Sequence, residues 1–217
     1  MIKRIACLCL VLLFLQNLPV KAAPPDEHIV VAVMDFGTHQ GAATSDINLT
    51  AAEQAACDYI IERLTETGHF YVVDREMMQE RLEQERLNTT GLIDPDTAKR
   101  VGEILGVRYI IYGNVVDITA SGTGTKVMSS GVALHNVKCH IIARMMDVEG
   151  GDIIMAAKGE GKSTSSLVKL GTEELGTVTI GTQRVSQVSV HNALKKAAFS
   201  TVDKLTERLF TSPKESQ

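Results

Sequence analysis

The run "IVVAVMDF", Ile29 to Phe36, restricts the fold more than any other stretch of the chain. It is apolar, rich in β-branched residues and without the polar alternation of a half-solvated strand, so it reads as a strand covered on both faces. Such a strand needs helices above and below it, and the following residues supply them. After a polar loop, "GTHQGAATSDINL", comes a helix pattern with Ala56, Ile60, Ile61 and Leu64 on one face and Gly68 placed to end it. Thr50 and Glu53 have the spacing of a capping box at its start. "FYVVD" is the second strand, and "REMMQERLEQERL" a charged helix with Met78, Leu82 and Leu87 inward. "DPDTAKRVGEILG" carries Asp94 as cap, Pro95 in the first turn and Gly106 at the stop. "VRYIIYGNVVDI" is the third strand. Strand-helix-strand-helix-strand order favours parallel neighbours and right-handed crossovers.

The second half changes character. "VKCHIIARMMDV" and "DIIMAAKGEG" flank "EGG", the signal of an antiparallel hairpin. A closing helix, about Asn192 to Phe210, carries Leu194, Ala198, Val202, Leu205 and Leu209 on one stripe. The expected fold is therefore α/β: a mixed sheet, with a strand-helix-strand-helix-strand first half, then an antiparallel hairpin and a C-terminal helix.

The N-terminus reads as an address. Lys3 and Arg4 precede the apolar run Ile5 to Leu15, and the small-residue site Val20-Lys21-Ala22 follows, with Pro24 and Pro25 beyond. That is the layout of a secretory signal peptide cleaved after Ala22. Cys7 and Cys9 lie inside the apolar core and not after the cut, so the expectation is an exported chain that is not a lipoprotein. Residues 1–22 are then leader, 23–28 linker, 29–210 a single domain and 211–217 a disordered tail. Removing Lys3, Arg4 and Lys21 takes the 22 basic residues to 19 against 26 acidic ones, and the formal charge from −4 to −7. An acidic exported chain has no broad attraction for nucleic acid. Two cysteines remain, Cys57 and Cys139. Both sit among apolar neighbours, which suits buried thiols, while an oxidising compartment permits a bridge between them.

"AAKGEGKST", Ala156 to Thr164, spells the last letters of a phosphate-binding loop in Gly161-Lys162-Ser163. That loop needs a glycine five positions earlier, where Ala156 stands, and a helix N-terminus downstream, where "STSSLVKLG" signals none. The expectation is a strand edge with a solvated lysine, and no nucleotide. The histidines at 28, 39, 69, 135, 140 and 191 show no metal-ligand spacing. Cys139 and His140 are adjacent on a strand, hence on opposite faces. Asp35 stands at the carboxyl edge of the first strand, where α/β enzymes place catalytic groups. With no partnered acid or base near it in sequence, it reads as a carboxylate accepting loop amides. No catalytic residue, metal ligand or cofactor is assigned. Asn48-Leu49-Thr50 and Asn88-Thr89-Thr90 match the short glycosylation triplet.

"VAVMDF", "ERLTETGHFYVVDREMMQERLEQ", "LIDPDTAKRVGEILGVRYIIYGNVVDI" and "ARMMDVEGGDIIMAAKGEGKS", in that order, resemble the CsgG-like curli production assembly/transport proteins from about Ile29 to Ser163. The resemblance implies a periplasmic α/β domain beneath an oligomeric outer-membrane secretion channel, to whose barrel each protomer gives two hairpins. The corresponding segments here are roughly Thr119 to His140 and Ser163 to Val190. Between Tyr112 and Phe199 the chain has no Phe, Tyr or Trp, the residues that girdle membrane barrels. The loop Gly37 to Leu49 has no aromatic either, so no constriction residue is carried over. The expected function is a non-enzymatic component of the cell envelope, periplasmic or outer-membrane-associated, that self-associates or docks other envelope proteins. Its means would be strand edges and the loop residues Thr38, His39, Gln40, Thr44, Ser45 and Asp46. The alternative is a soluble periplasmic binding module for a small ligand or glycan.

Overall fold

A computed structural model describes residues 28–38, 47–85, 95–127, 130–170, 177–180 and 183–211. The first strand, β1 (Ile29–Val33), lies inside a mixed sheet. β3 (Phe70–Val72) pairs with it in parallel on one side and β4 (Tyr109–Val127) in parallel on the other. A two-residue strand, β2 (Gly37–Thr38), continues the lane of β1 and pairs with β4 at Asn114 and Val115. β5 (Ser130–Asp147) and β6 (Ile153–Leu170) then add as antiparallel neighbours, giving the order β3-β1-β4-β5-β6. The expected mixed α/β sheet, parallel first and antiparallel after, is the sheet observed.

The connections decide which face each helix covers. The chain steps from β1 to β3 through α1 (Leu49–Glu66). It returns across β1 to β4 through α2 (Arg75–Gln84) and α3 (Pro95–Leu105). Steps in opposite directions with the same right-handed turn put their helices on opposite faces. Val31, Val33 and Ile111 accordingly join Ala56, Cys57, Ile60 and Leu64 of α1 in one core. Ala32, Met34 and Ile110 join Met78, Leu82, Ala98 and Val101 in the other. α4 (Gln187–Thr211) lies beside α1 on the first face and covers β5 and β6, with Leu194, Ala198, Val202 and Leu205 buried. It starts five residues before Asn192, and a short hairpin, β7 (Thr177–Ile180) and β8 (Gln183–Ser186), leads into it. Among the described residues, Thr119 to His140 falls in the outer parts of β4 and β5, which pair with each other out to Val127 and Ser130.

Gly68 and Gly106 stop α1 and α3 with φ of 70° and 67°, where any side chain is strained. One local expectation fails. The cap of α1 is Asn48, whose Oδ1 accepts from the Ala51 amide at 3.1 Å. Thr50 lies inside the helix, and Glu53 turns away to accept from the Thr38 hydroxyl at 2.6 Å. Asn and Thr two residues apart are both good caps, and the chain takes the stronger one. Asp74 caps α2 by accepting from the amides of Glu76 and Met77. Leu87 and Asp94 lie outside the described residues.

Candidate functional site

The polar loop after β1 is rooted at the carboxyl end of the parallel strands, and the structure describes both of its ends. On the departing side, the Met34 amide still donates to Ile111 O, and β2 re-engages β4 three residues later. That leaves Asp35 and Phe36 at a step between the two lanes. Phe36 is buried in the core, and Asp35 is held by Arg75, the first residue of α2. Arg75 also stands 3.7 Å from Asp58 of α1. Because β3 lies directly beside β1, the residue opening α2 arrives next to the chain just past the end of β1. The Asp35 carboxylate therefore pairs with a guanidinium, while most of the loop whose amides it was expected to meet lies outside the described residues. Both side chains are about a third exposed, 29% for Arg75 and 31% for Asp35, so the pair contributes about 1 kcal/mol or less.

Asp35, Phe36, Gly37, Thr50, Glu53, Gln54 and Arg75 enclose a cavity of about 250 Å³. Its acids already have donors: Arg75 for Asp35, and Thr38 for Glu53. On the returning side, Ile47 and Asn48 open onto an apolar groove of about 300 Å³ between the starts of α1 and α4. Ala51, Ala52, Val190 and Leu194 form its walls. Gln187 and His191 complete its lining, and Val188, next in sequence to Gln187, is 66% exposed. The root of the loop thus has a polar, charge-paired cavity on one flank and an apolar groove on the other. Of the partner-facing candidates, Thr38 is placed here, tied to Glu53. His39, Gln40, Thr44, Ser45 and Asp46 lie outside the described residues. Sequence reasoning missed Arg75 and the groove. No local signal marks Arg75, which reaches Asp35 only because β3 lies beside β1.

Gly161-Lys162-Ser163 lies in the middle of β6, the last strand of the main sheet. Lys162 is an exposed side chain 2.9 Å from Glu160, and its glycine has a packing role. A β-carbon at Gly161 would stand 1.8 Å from Ala193 O, and one at Gly159 would stand 2.1 Å from Ala197 O. The two glycines let α4 rest on the strand backbone, so a loop approaching an anion is ruled out for this segment.

A charged row that sequence reasoning did not assemble crosses the opposite face of the sheet. Asp117, His140 and Glu160 are register partners on β4, β5 and β6. His140 Nδ1 is 2.7 Å from Asp117, its Nε2 is 3.9 Å from Glu160, and Lys162 closes the row. The bulge between Val115 and Asp117 brings the aspartate to this face. The hydrogen bond from Lys162 holds the Glu160 carboxyl below its ordinary range, with the charges of Lys162, His140 and Lys138 adding to it. Cys139, next in sequence to His140, points the other way into the core, as strand alternation requires. Both Cys57 and Cys139 are free and buried, and burial pushes both thiols up to about 12. Among the described residues no group of three or more His, Cys, Asp and Glu side chains is arranged to hold a metal ion.

A family model described as "Curli production assembly/transport component CsgG" matches residues 16–216. No curated protein sequence matches significantly. Among solved structures, the LpoB C-terminal domain from Salmonella enterica is 18% identical, over 68% of this chain and 88% of that one, at a TM-score of 0.44. Lipoprotein GNA1162 from Neisseria meningitidis is 16% identical, over 63% and 84%, at 0.44. A PelC dodecamer from Paraburkholderia phytofirmans is 12% identical, over 86% and 90%, at 0.36.

Proposed function

Because the chain belongs to the CsgG family of curli production assembly/transport components, we propose that it is a non-enzymatic component of the cell envelope that works by self-association or by docking other envelope proteins. The observation that carries this reading is the family match, which runs from residue 16 to residue 216 and so takes in every element of the fold. Its setting on this reading is the periplasm or the periplasmic side of the outer membrane, reached through the leader at residues 1–22, and its service is to protein secretion.

The geometry supports the root of the 37–49 loop as the docking face. Recognition surfaces combine apolar area with a rim of fixed polar groups, and the loop root has both, on opposite flanks. The ion pairs around Asp35 also favour docking over small-ligand binding. Pockets for small molecules usually exceed about 300 Å³ and keep polar groups free to meet the ligand. Here the cavity is about 250 Å³, and its Asp35, Arg75 and Glu53 are engaged with neighbouring side chains.

The test expresses the chain with its leader, fractionates the envelope and measures the mass of the purified product in buffer and in detergent. Assembly, or co-purification of a defined envelope partner that Thr38→Asp and Val190→Asp both weaken, is the expected result. A strict monomer that neither fractionates with the envelope nor retains a partner would overturn the reading.

A further inference from the structure

The last strand of a sheet presents a row of unpaired backbone groups, a template for any other strand. β6 is such a strand, with β5 on its inner side and, among the described residues, no strand beyond it in the main sheet. Its outward carbonyls are nevertheless partly occupied. Lys196 Nζ donates to Lys162 O at 3.1 Å, Lys204 Nζ to Lys158 O at 2.7 Å and Arg208 Nη1 to Ala156 O at 2.5 Å. All three donors come from α4, and all three acceptors are even-numbered residues, the set that points away from β5. The two lattices match along the whole contact. Eight residues of helix from Lys196 to Lys204 rise about 12 Å, and four residues of strand from Lys162 to Lys158 span about 13 Å. Four residues from Lys204 to Arg208 rise about 6 Å, against about 7 Å from Lys158 to Ala156. The position that would serve Glu160 is Ser200, too short to reach, and a groove opens there beside Lys196 and Lys204. Gly159 and Gly161 bring α4 close enough for these side chains to arrive.

We propose that Lys196, Lys204 and Arg208 guard the β6 edge: they hold the carbonyls a further strand would need, and so keep one copy of the chain from pairing edge to edge with a second copy. A second copy is the partner that most needs excluding. An antiparallel two-fold pairing of β6 about Gly161 would set the Glu160 of each copy opposite the Lys162 of the other, an attractive register. Lysine on strand edges is a common defence against such pairing. In this chain the lysines come from a helix laid along the edge, and they act by hydrogen bonding to it.

The test compares the wild-type chain with K196A/K204A/R208A by sedimentation velocity over a concentration series, and by residue-resolved hydrogen exchange. The variant is expected to associate more strongly than wild type. Exchange of the outward amides of Ala156, Lys158, Glu160 and Lys162 should slow by about tenfold or more as copies pair. Adding Lys158→Pro removes one outward donor without breaking the ladder to β5, and it should return the variant to the wild-type mass. The double variant K196A/K204A is measured alongside, so that loss of fold in the triple variant does not silence the experiment. Unchanged mass and unchanged exchange at those four amides, in whichever variant is folded, would overturn the guard. The comparison is always against wild type, so its outcome is separate from whether the wild-type chain itself assembles through the loop root.

Discussion

Replacing Gly161 with alanine adds one methyl group, and the structure says where it goes. The new carbon would lie 1.8 Å from Ala193 O and 2.5 Å from the Ala197 amide nitrogen. Ordinary contact needs at least about 3.4 Å, and both obstacles are helix backbone, so no rotamer change relieves them. α4 must move off β6 by more than an ångström, and along that line it holds Ala193, Leu194, Ala197, Ala198 and Val202 in the core. Overpacking of this kind costs about 1–3 kcal/mol when neighbours give way, and rigid backbone puts G161A at the upper end, about 3 kcal/mol. For a chain of this size that lowers the Tm by about 6–12 °C. Thermal and urea unfolding followed by circular dichroism would read it, with Lys162→Ala, an exposed neighbour, as control within about 0.5 kcal/mol. Wild-type stability in G161A would refute the packing role of this glycine. So would stabilisation of the wild-type chain by Mg-ATP, which the phosphate-loop spelling would require.

Three further perturbations test other parts of the structure. Asn48→Ala should cost about 1 kcal/mol through loss of the α1 cap, whereas Thr50→Ala should change stability by only a few tenths; equal losses would return the cap to Thr50. Cys57 and Cys139 should resist alkylation at pH 8 in the native chain and react fully in urea, with peptide mass mapping showing both as free thiols. Since folding raises both thiols from 9.0 to about 12, the unfolded chain releases these protons first as the pH rises. Their contribution is therefore fully present below pH 9 and is lost progressively between pH 9 and about 12, a loss that Cys139→Ala should lessen. A double-mutant cycle on Asp35→Asn and Arg75→Met should give a coupling of about 1 kcal/mol or less, and a coupling of several kcal/mol would mean that the pair is far better shielded than its exposure indicates.

What the sequence revealed follows the range of the interaction involved. β1 was legible because the run from Ile29 states it, although the strand ends at Val33 and not at Phe36, and Gly68 and Gly106 were legible because a left-handed stop is a single-residue event. The mixed sheet followed from the order of the elements. The start of α4 was not legible, since Gln187 to His191 are polar or β-branched and read equally well as strand. The lengths of β4 and β6, 19 and 18 residues, were hidden because their outer halves are Thr, Ser and Gly without alternation. The site was less legible still. Asp35 and Arg75 are 40 residues apart and Thr38 and Glu53 are 15 apart, and only the placement of β3 and α1 around β1 joins them. A lysine on a predicted helix reads as solvated, and nothing local distinguishes Lys204 from any other.

One contact ties several of these features together. The glycines that spell a phosphate loop, the basic residues of α4 and the open edge of β6 are parts of a single helix-on-strand junction. Without side chains at 159 and 161 the helix axis comes near enough for Lys196 and Lys204 to reach backbone oxygens. A bulkier residue at either position would lift α4 and withdraw those donors together. α4 serves both surfaces, with Val190 and Leu194 in the loop-root groove and Lys196, Lys204 and Arg208 on β6, so only changes confined to those three basic side chains separate association through the body of β6 from association through the loop root. On the proposed reading the chain meets its partners at the loop root, while the α4 guard keeps that assembly from becoming an uncontrolled stack of strands. G161A should accordingly show both defects at once, lower stability and stronger edge pairing, whereas K196A/K204A/R208A should show mainly the second.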